Sequence, residues 1–351
     1  MSVKGPALSR RDSSFRVYAE ERQARLTKPA GALGALETVA VWLSDIQQAR
    51  VPVSRPAAAI VFASDHPVSR LGVSAYPREV TPMMVVNLAQ GGAAASVLAN
   101  LHGIPLSVVD VGTEDYPSPE PAQGVSWSRR ARGGVCGDLV HDDAMDEAAF
   151  HLAISHGREA VKELPEGTRL LLLGEMGIGN TTPASAIAAR LLGLSAQEMV
   201  GPGTGVSGEA LSNKVHLVGQ ALERTHGIDD PLEVLRCLGG REIAALVGAM
   251  FQAAEEGIGI LVDGFIVSSA ALVAVRHCPE MRDYMTFGHR SAEPGHQNIL
   301  ESLSAEVLVD CGLRLGEGSG ALTALPLVDA AVRLHNEMAT FEEASVPDRE
   351  D

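Results

Sequence analysis

Short apolar runs recur along the chain at 57–63, 104–111, 169–173, 258–262, 281–287 and 306–309, each closed by a glycine or a polar turn. Aliphatic runs of this length, without polar alternation, suit strands that are buried on both faces. Between them lie segments with helical character at 82–98, 144–163, 183–192 and 239–256. The alternation of the two predicts an α/β fold of the doubly wound class, with a mainly parallel six-stranded sheet. The segments 15–50 and 325–344 fall outside it and are expected to pair as a small helical domain built from both chain ends, beside a large catalytic domain over 51–324. Residues 1–14 and 345–351 are polar and charged and are expected to be disordered tails. The segment 113–143 is left unassigned, and the YPSPEPAQG stretch from Tyr116 within it reads as a surface loop.

Composition agrees with that class. Of 351 residues, 46% are hydrophobic, only 4% are aromatic and 36 are glycine. The formal net charge of −16 opposes a polyanionic partner, so nucleic acid is excluded and any phosphate must be held by local amides and one or two placed cations. Cys136, Cys237, Cys278 and Cys311 are widely spaced, without zinc-ligand or redox spacing, and read as reduced thiols. The N-terminus lacks an apolar signal core, and the apolar stretch at 257–275 is broken by Asp263, so a cytoplasmic protein without membrane insertion is expected.

The strongest local signal is RLLLLGEMGIGNTTPASAIAARLLG from Arg169, a strand, a glycine turn and a helix. Gly174, Gly177 and Gly179 let backbone amides approach a ligand, and Thr182 and Pro183 are expected to cap and start the helix, whose positive end would face an anion. Glu175, at the carboxyl end of the strand, is suited to ribose hydroxyls. A second cluster, GPGTGVS from Gly201, precedes Asn213 and Lys214; the ordinary reading of Lys214 is a solvated helix charge, the functional one a phosphate ligand. In GLRLGEGSGA from Gly312, Glu317 stands between glycines, either as a turn cap or as a general base. Asp263 after a strand either reaches the crevice or caps a turn. Asp65 and His66 suggest an acid/base pair, and His289, Glu293 and His296 a metal site, but a structural-turn or subunit-contact role is favoured for both, because neither supplies a clean ligand set. The glycine spacing G-E-M-G-I-G is not the dinucleotide fingerprint, and VVDVGTEDYP lacks the paired acids and Thr-rich loop of an enzyme using phosphoribosyl pyrophosphate.

Taken in order, KPAGALGALE from Lys28, SDHPVSRLGVSAYPREVT from Ser64, GGAAASVLA from Gly91, GEMGIGNTT from Gly174, GPGTG from Gly201, GGREIAALVGAM from Gly239, VDGFIVSSAAL from Val262, HRSAEPGH from His289 and LRLGEGSGA from Leu313 resemble the nicotinate mononucleotide:dimethylbenzimidazole phosphoribosyltransferases. The resemblance implies a Rossmann-like large domain, a small helical domain and a homodimer. It implies conversion of nicotinate mononucleotide and 5,6-dimethylbenzimidazole into α-ribazole 5′-phosphate and nicotinate, with inversion at C1′ and with no cofactor or metal. At matching positions it makes Glu317 the general base and Glu175 a ribose or base contact. Gly177, Gly179, Asn180, Thr181, Gly203, Lys214 and Asp263 become candidates for the nucleotide and its phosphate, and Ser74, Tyr76, Met83 and Leu315 for the base pocket.

The chemistry needs few ionisable groups. A pyridinium leaves ribose without protonation, whereas the attacking azole must lose a proton, which one carboxylate can take. Three departures bear on the base more than on the reaction: Met83 stands where the family commonly has Gln, Pro67 where Gly is usual, and Pro202 where Arg is frequent. They leave open a non-catalytic protein of the same fold that binds azole bases or nucleotides.

Overall fold

The computed structural model describes residues 3–130, 132–134 and 136–347. Among them, seven strands form one wholly parallel sheet. They are β1 Ala57–Ser64, β2 Leu106–Gly112, β3 Val125–Arg129, β4 Leu170–Met176, β5 Gly259–Val262, β6 Met285–His289 and β7 Val307–Val309, in the spatial order β3-β2-β1-β4-β5-β6-β7. Each of the six runs expected from the apolar pattern contains a strand, although 281–284 of the fifth form a 3-10 helix and its strand begins at Met285. The seventh, β3, corrects the count: its VSWSR sequence is only half-buried and pairs on one side, so it never needed the continuous apolar run by which buried strands are recognised.

Strand order reverses between β1 and β4, because the chain first builds outward through β2 and β3 and then returns to the other side of β1. At such a switch point the loops leaving adjacent strands diverge, and a crevice opens beyond their carboxyl ends. β1 runs there into Asp65 and His66, and β4 into the glycine turn after Met176.

The helix expected at 82–98 is two helices, Val80–Ala89 and Ala94–Leu101, with Gly91 at φ 87 in the break. The 22-residue stretch they span is apolar enough to cross a membrane, yet Val85, Leu88, Ala95 and Ala99 pack into the core. Helices Glu147–Lys162 and Arg241–Glu255 lie so close that Gly157 and Gly248 meet the partner helix's backbone directly, with no room for side chains.

Individual contacts join segments near the two chain ends. Arg22, on helix Ser14–Arg25, donates to the carbonyls of His335, Asn336 and Met338 at 2.7–3.2 Å, and Leu26 bridges Thr340. The last helix, Ser319–Glu337, begins six residues before the expected 325, with Pro326 inside it, so the expected boundary at 324/325 falls within one helix. It packs on β4, β6 and β7 and on helix Ala35–Gln47. The leader is not loose in its described part. Ala7 donates to Glu255 (2.9 Å), Arg158 donates to the Lys4 carbonyl (3.2 Å), and Arg11 pairs with Asp45 and Asp283. Residues 1, 2 and 348–351 of the expected tails lie outside the described residues.

Candidate active site

At the carboxyl end of β4, Gly174 and Glu175 lead into the turn 177–180 and then helix Thr181–Leu192. Gly179 has φ 91, which a side chain would resist. The expected cap is corrected: the helix starts at Thr181, Thr182 is fully buried, and Asn180 at the cap position makes no capping bond because its amide donates to the Glu175 carboxylate. The turn is braced by Ile178 N–H donating to Thr81 Oγ1 (3.0 Å), which ties it to helix Val80–Ala89, the helix of Met83.

Glu317 is placed beside this turn. Its N–H donates to the Glu175 carbonyl (3.1 Å), and its carboxylate lies at the start of helix Ala94–Leu101, 3.4 Å from the Ala95 nitrogen. Its φ of 62 is unusual for a residue with a side chain and persists only where the surroundings impose it. Burial is the main reason its carboxyl titrates above the ordinary range, with the Asp263 charge adding to the rise and the Ala94 and Ala95 amides opposing it. Glu175 is pushed up to about 8, first by burial; the Asn180 hydrogen bond opposes this, and Asp263, Glu242 and Glu317 reinforce it. Two acids far apart in sequence thus become neighbours under low dielectric, both titrating above their ordinary range, as functional-site acids do.

The second glycine cluster is a clasp whose polar groups are already engaged. Lys214, expected to be solvated unless bound to phosphate, is wholly buried in helix Gly208–Arg224 and donates to Thr181 Oγ1 (2.7 Å) and the Gly201 carbonyl (3.0 Å). Burial pulls its ammonium down to about 8, while Glu293 opposes the fall. Gly203 N–H donates to Glu293 (2.8 Å), and a Cβ at Gly203 would stand 2.6 Å from Thr181 Oγ1. Thr204 bonds Ser74 Oγ (3.0 Å) and Ala75 N–H (2.9 Å), and Arg314 donates to the Gly203 carbonyl (3.1 Å). The loops at 73–76, 201–205 and 313–317 are therefore joined. Tyr76, Met83 and Leu315 are exposed at 56%, 67% and 60%, apolar side chains left open to whatever binds.

Asp263 does not open to the crevice. It is 1% exposed, and its Oδ1 accepts from Ala321 N–H (2.9 Å). His296 is tied by both ring nitrogens, to Ser268 (2.9 Å) and Ser291 (2.8 Å), which leaves none for a metal. His66 and Ser64 instead converge on Glu242, at 2.6 and 2.5 Å, beneath the Gly177 turn. Sequence reasoning gave Glu242, Arg314 and Thr204 no role. The one usable signal for Glu242 was a carboxylate on a helix whose other positions through Ala254 are almost all apolar and buried.

The phosphoribosyltransferase family model matches residues 8–346. The chain is 50% identical over 340 residues to the nicotinate-nucleotide–dimethylbenzimidazole phosphoribosyltransferase of Pseudomonas syringae pv. syringae (strain B728a), covering 96% of each chain. It is 49% identical, at the same coverage, to the enzyme of that name from Azotobacter vinelandii. Among solved structures, the nicotinate-nucleotide–dimethylbenzimidazole phosphoribosyltransferase of Thermus thermophilus superposes with a TM-score of 0.88 at 40% identity, over 96% of this chain and 100% of that one.

Proposed function

Because the chain belongs to the nicotinate-nucleotide–dimethylbenzimidazole phosphoribosyltransferase family, we propose that it moves the phosphoribosyl group of nicotinate mononucleotide onto 5,6-dimethylbenzimidazole or a related base. The products are α-ribazole 5′-phosphate and nicotinate, in assembly of the cobalamin lower ligand. The observation that carries the reading is the junction of Glu317 and Glu175 beside the glycine turn at the switch point.

Glu317 is the general base. Its raised pKa brings it toward that of an azole N–H donor under attack, and proton transfer of this kind contributes about 10²- to 10⁴-fold. Glu175 faces the ribose; the cationic pyridinium of bound nicotinate mononucleotide favours its ionised form before the reaction begins, and the carboxylate then opposes the positive charge that grows on the sugar. The phosphate lies over Gly177, Gly179 and the start of helix Thr181–Leu192, where close backbone approach and the helix dipole favour an anion. Lys214, Gly203 and Glu293 shape the adjoining loop, and Ser74, Tyr76, Met83 and Leu315 receive the base. Holding the two rings on opposite faces of ribose supplies much of the remaining rate, effective molarities of roughly 10⁵ M being attainable. A homodimer, a cytoplasmic location and a small helical domain formed by the paired chain ends belong to the same reading.

The test is incubation with nicotinate mononucleotide and dimethylbenzimidazole, with mass-spectrometric detection of the ribotide. Glu317→Gln should lower kcat by about 10²-fold or more while base binding persists. Turnover at the wild-type rate in that variant would remove Glu317 from the mechanism.

A further inference from the structure

We propose that Asp263 and His289 are positioning residues, a clamp that holds Glu317 in its working place, and that Asp263 makes no contact with the nucleotide. The proposal rests on the reading of Glu317 as the base. Asp263 directly follows β5, and its carboxylate takes Ala321 N–H at 2.9 Å, with the amides of Gly264 and Gly320 also directed at it. Ala321 and Gly320 lie in the first turn of helix Ser319–Glu337, whose leading N–H groups have no partner within the helix. A buried carboxylate satisfies them and complements the helix dipole, which fixes where the helix begins. Glu317 is the second residue before that helix.

His289 ends β6 and brings Nε2 to 3.6 Å from the same Asp263 oxygen. Its ring fills space that only glycines leave. A Cβ at Gly264 would stand 2.8 Å from Nε2, one at Gly320 would collide with the ring, and one at Gly288 would lie 2.9 Å from the Ala321 Cα. From the other side, β4 grips the loop through Gly174, where a Cβ would stand 2.5 Å from the carbonyl carbon of Glu317. Three adjacent strands thus hold the backbone of one residue whose left-handed φ would otherwise relax. Asp263, at 1% exposed and turned onto the backbone amides of the helix start, is out of reach of a ribose in the crevice.

Asp263→Ala should lower kcat on the order of 10- to 100-fold, the loss expected when a catalytic group is displaced by a fraction of an ångström to an ångström. KM for nicotinate mononucleotide should stay within about twofold. Asp263→Asn, which keeps an oxygen for Ala321 N–H, should regain most of the rate. In a Glu317→Gln background, Asp263→Ala should cost nothing further, because a residue that acts through Glu317 has nothing left to position. A tenfold rise in KM with kcat kept, or a full multiplicative loss in that background, would overturn the clamp. If Asp263→Ala does not fold by circular dichroism, His289→Gln is measured in both backgrounds, where non-additivity supports the clamp and additivity refutes it. Unimpaired Glu317→Gln would instead sink the assignment of the base.

Discussion

Replacing Gly174 by alanine adds one methyl group between β4 and the loop that carries Glu317. That carbon would stand 2.5 Å from the carbonyl carbon of Glu317 and 2.6 Å from its oxygen, and it would also strike the Gly318 nitrogen. Ordinary contact begins near 3.4 Å, so the loop must retreat by about 0.9 Å; the obstacle is backbone on both sides, and no flexible side chain can yield instead. The retreat also stretches the hydrogen bond from Glu317 N–H to the Glu175 carbonyl, now 3.1 Å. Displacement of a catalytic group by about 1 Å costs on the order of 10²-fold in rate, and overpacking of this kind destabilises by about 1–3 kcal/mol. Steady-state kinetics on Gly174→Ala should therefore show kcat down about 10²-fold, a smaller change in KM, and a lower melting temperature. Gly219→Ala is the matched control: Gly219 lies within helix Gly208–Arg224 with nothing near its Cβ position, so alanine there should be neutral or slightly stabilising. A Gly174→Ala enzyme with kcat within about twofold of wild type would refute the claim that the position of the Glu317 backbone limits the rate.

Two further outcomes follow from the same site. Glu175 titrates near 8 in the fold against an ordinary 4.5, so the folded chain holds its proton more tightly than the unfolded one. Its contribution to stability is complete below about pH 4.5 and is lost as pH rises through about 8, on the order of a few kcal/mol. The melting temperature of the ligand-free protein should fall between about pH 6 and 9, and Glu175→Gln should flatten that slope; a rise over this range would contradict the buried, protonated acid. Met83, exposed on helix Val80–Ala89, offers a thioether where a hydrogen-bonding Gln is common, so competition between dimethylbenzimidazole, benzimidazole and adenine should show modest discrimination, and strict choice of one polar base would count against it.

Much of this architecture could be read before any coordinates. Strands buried on both faces must be continuously apolar, and so β1, β2, β4, β5 and β6 were legible, as were helices crossing between several of them; β7, a half-buried edge strand, was legible only because its VLV is itself apolar. The edge strand β3 was not, because half-exposed backbone pairing imposes no such pattern. The glycine turn with Glu175, and Glu317 between its glycines, stood out because close backbone approach excludes other residues, a constraint that is local and leaves a local mark.

Partnership across the sheet leaves no such mark. Whether Lys214 is solvated or wholly buried, whether Asp263 faces the ligand or the first turn of a helix 58 residues on, and whether His66 meets Glu242 depend on which distant segments the winding of the chain brings together. The amino-acid pattern therefore determined the class of fold and the chemical groups on offer. Tertiary structure alone decided which carboxylates lose their water, since desolvation is a property of the surrounding volume and not of neighbours in sequence.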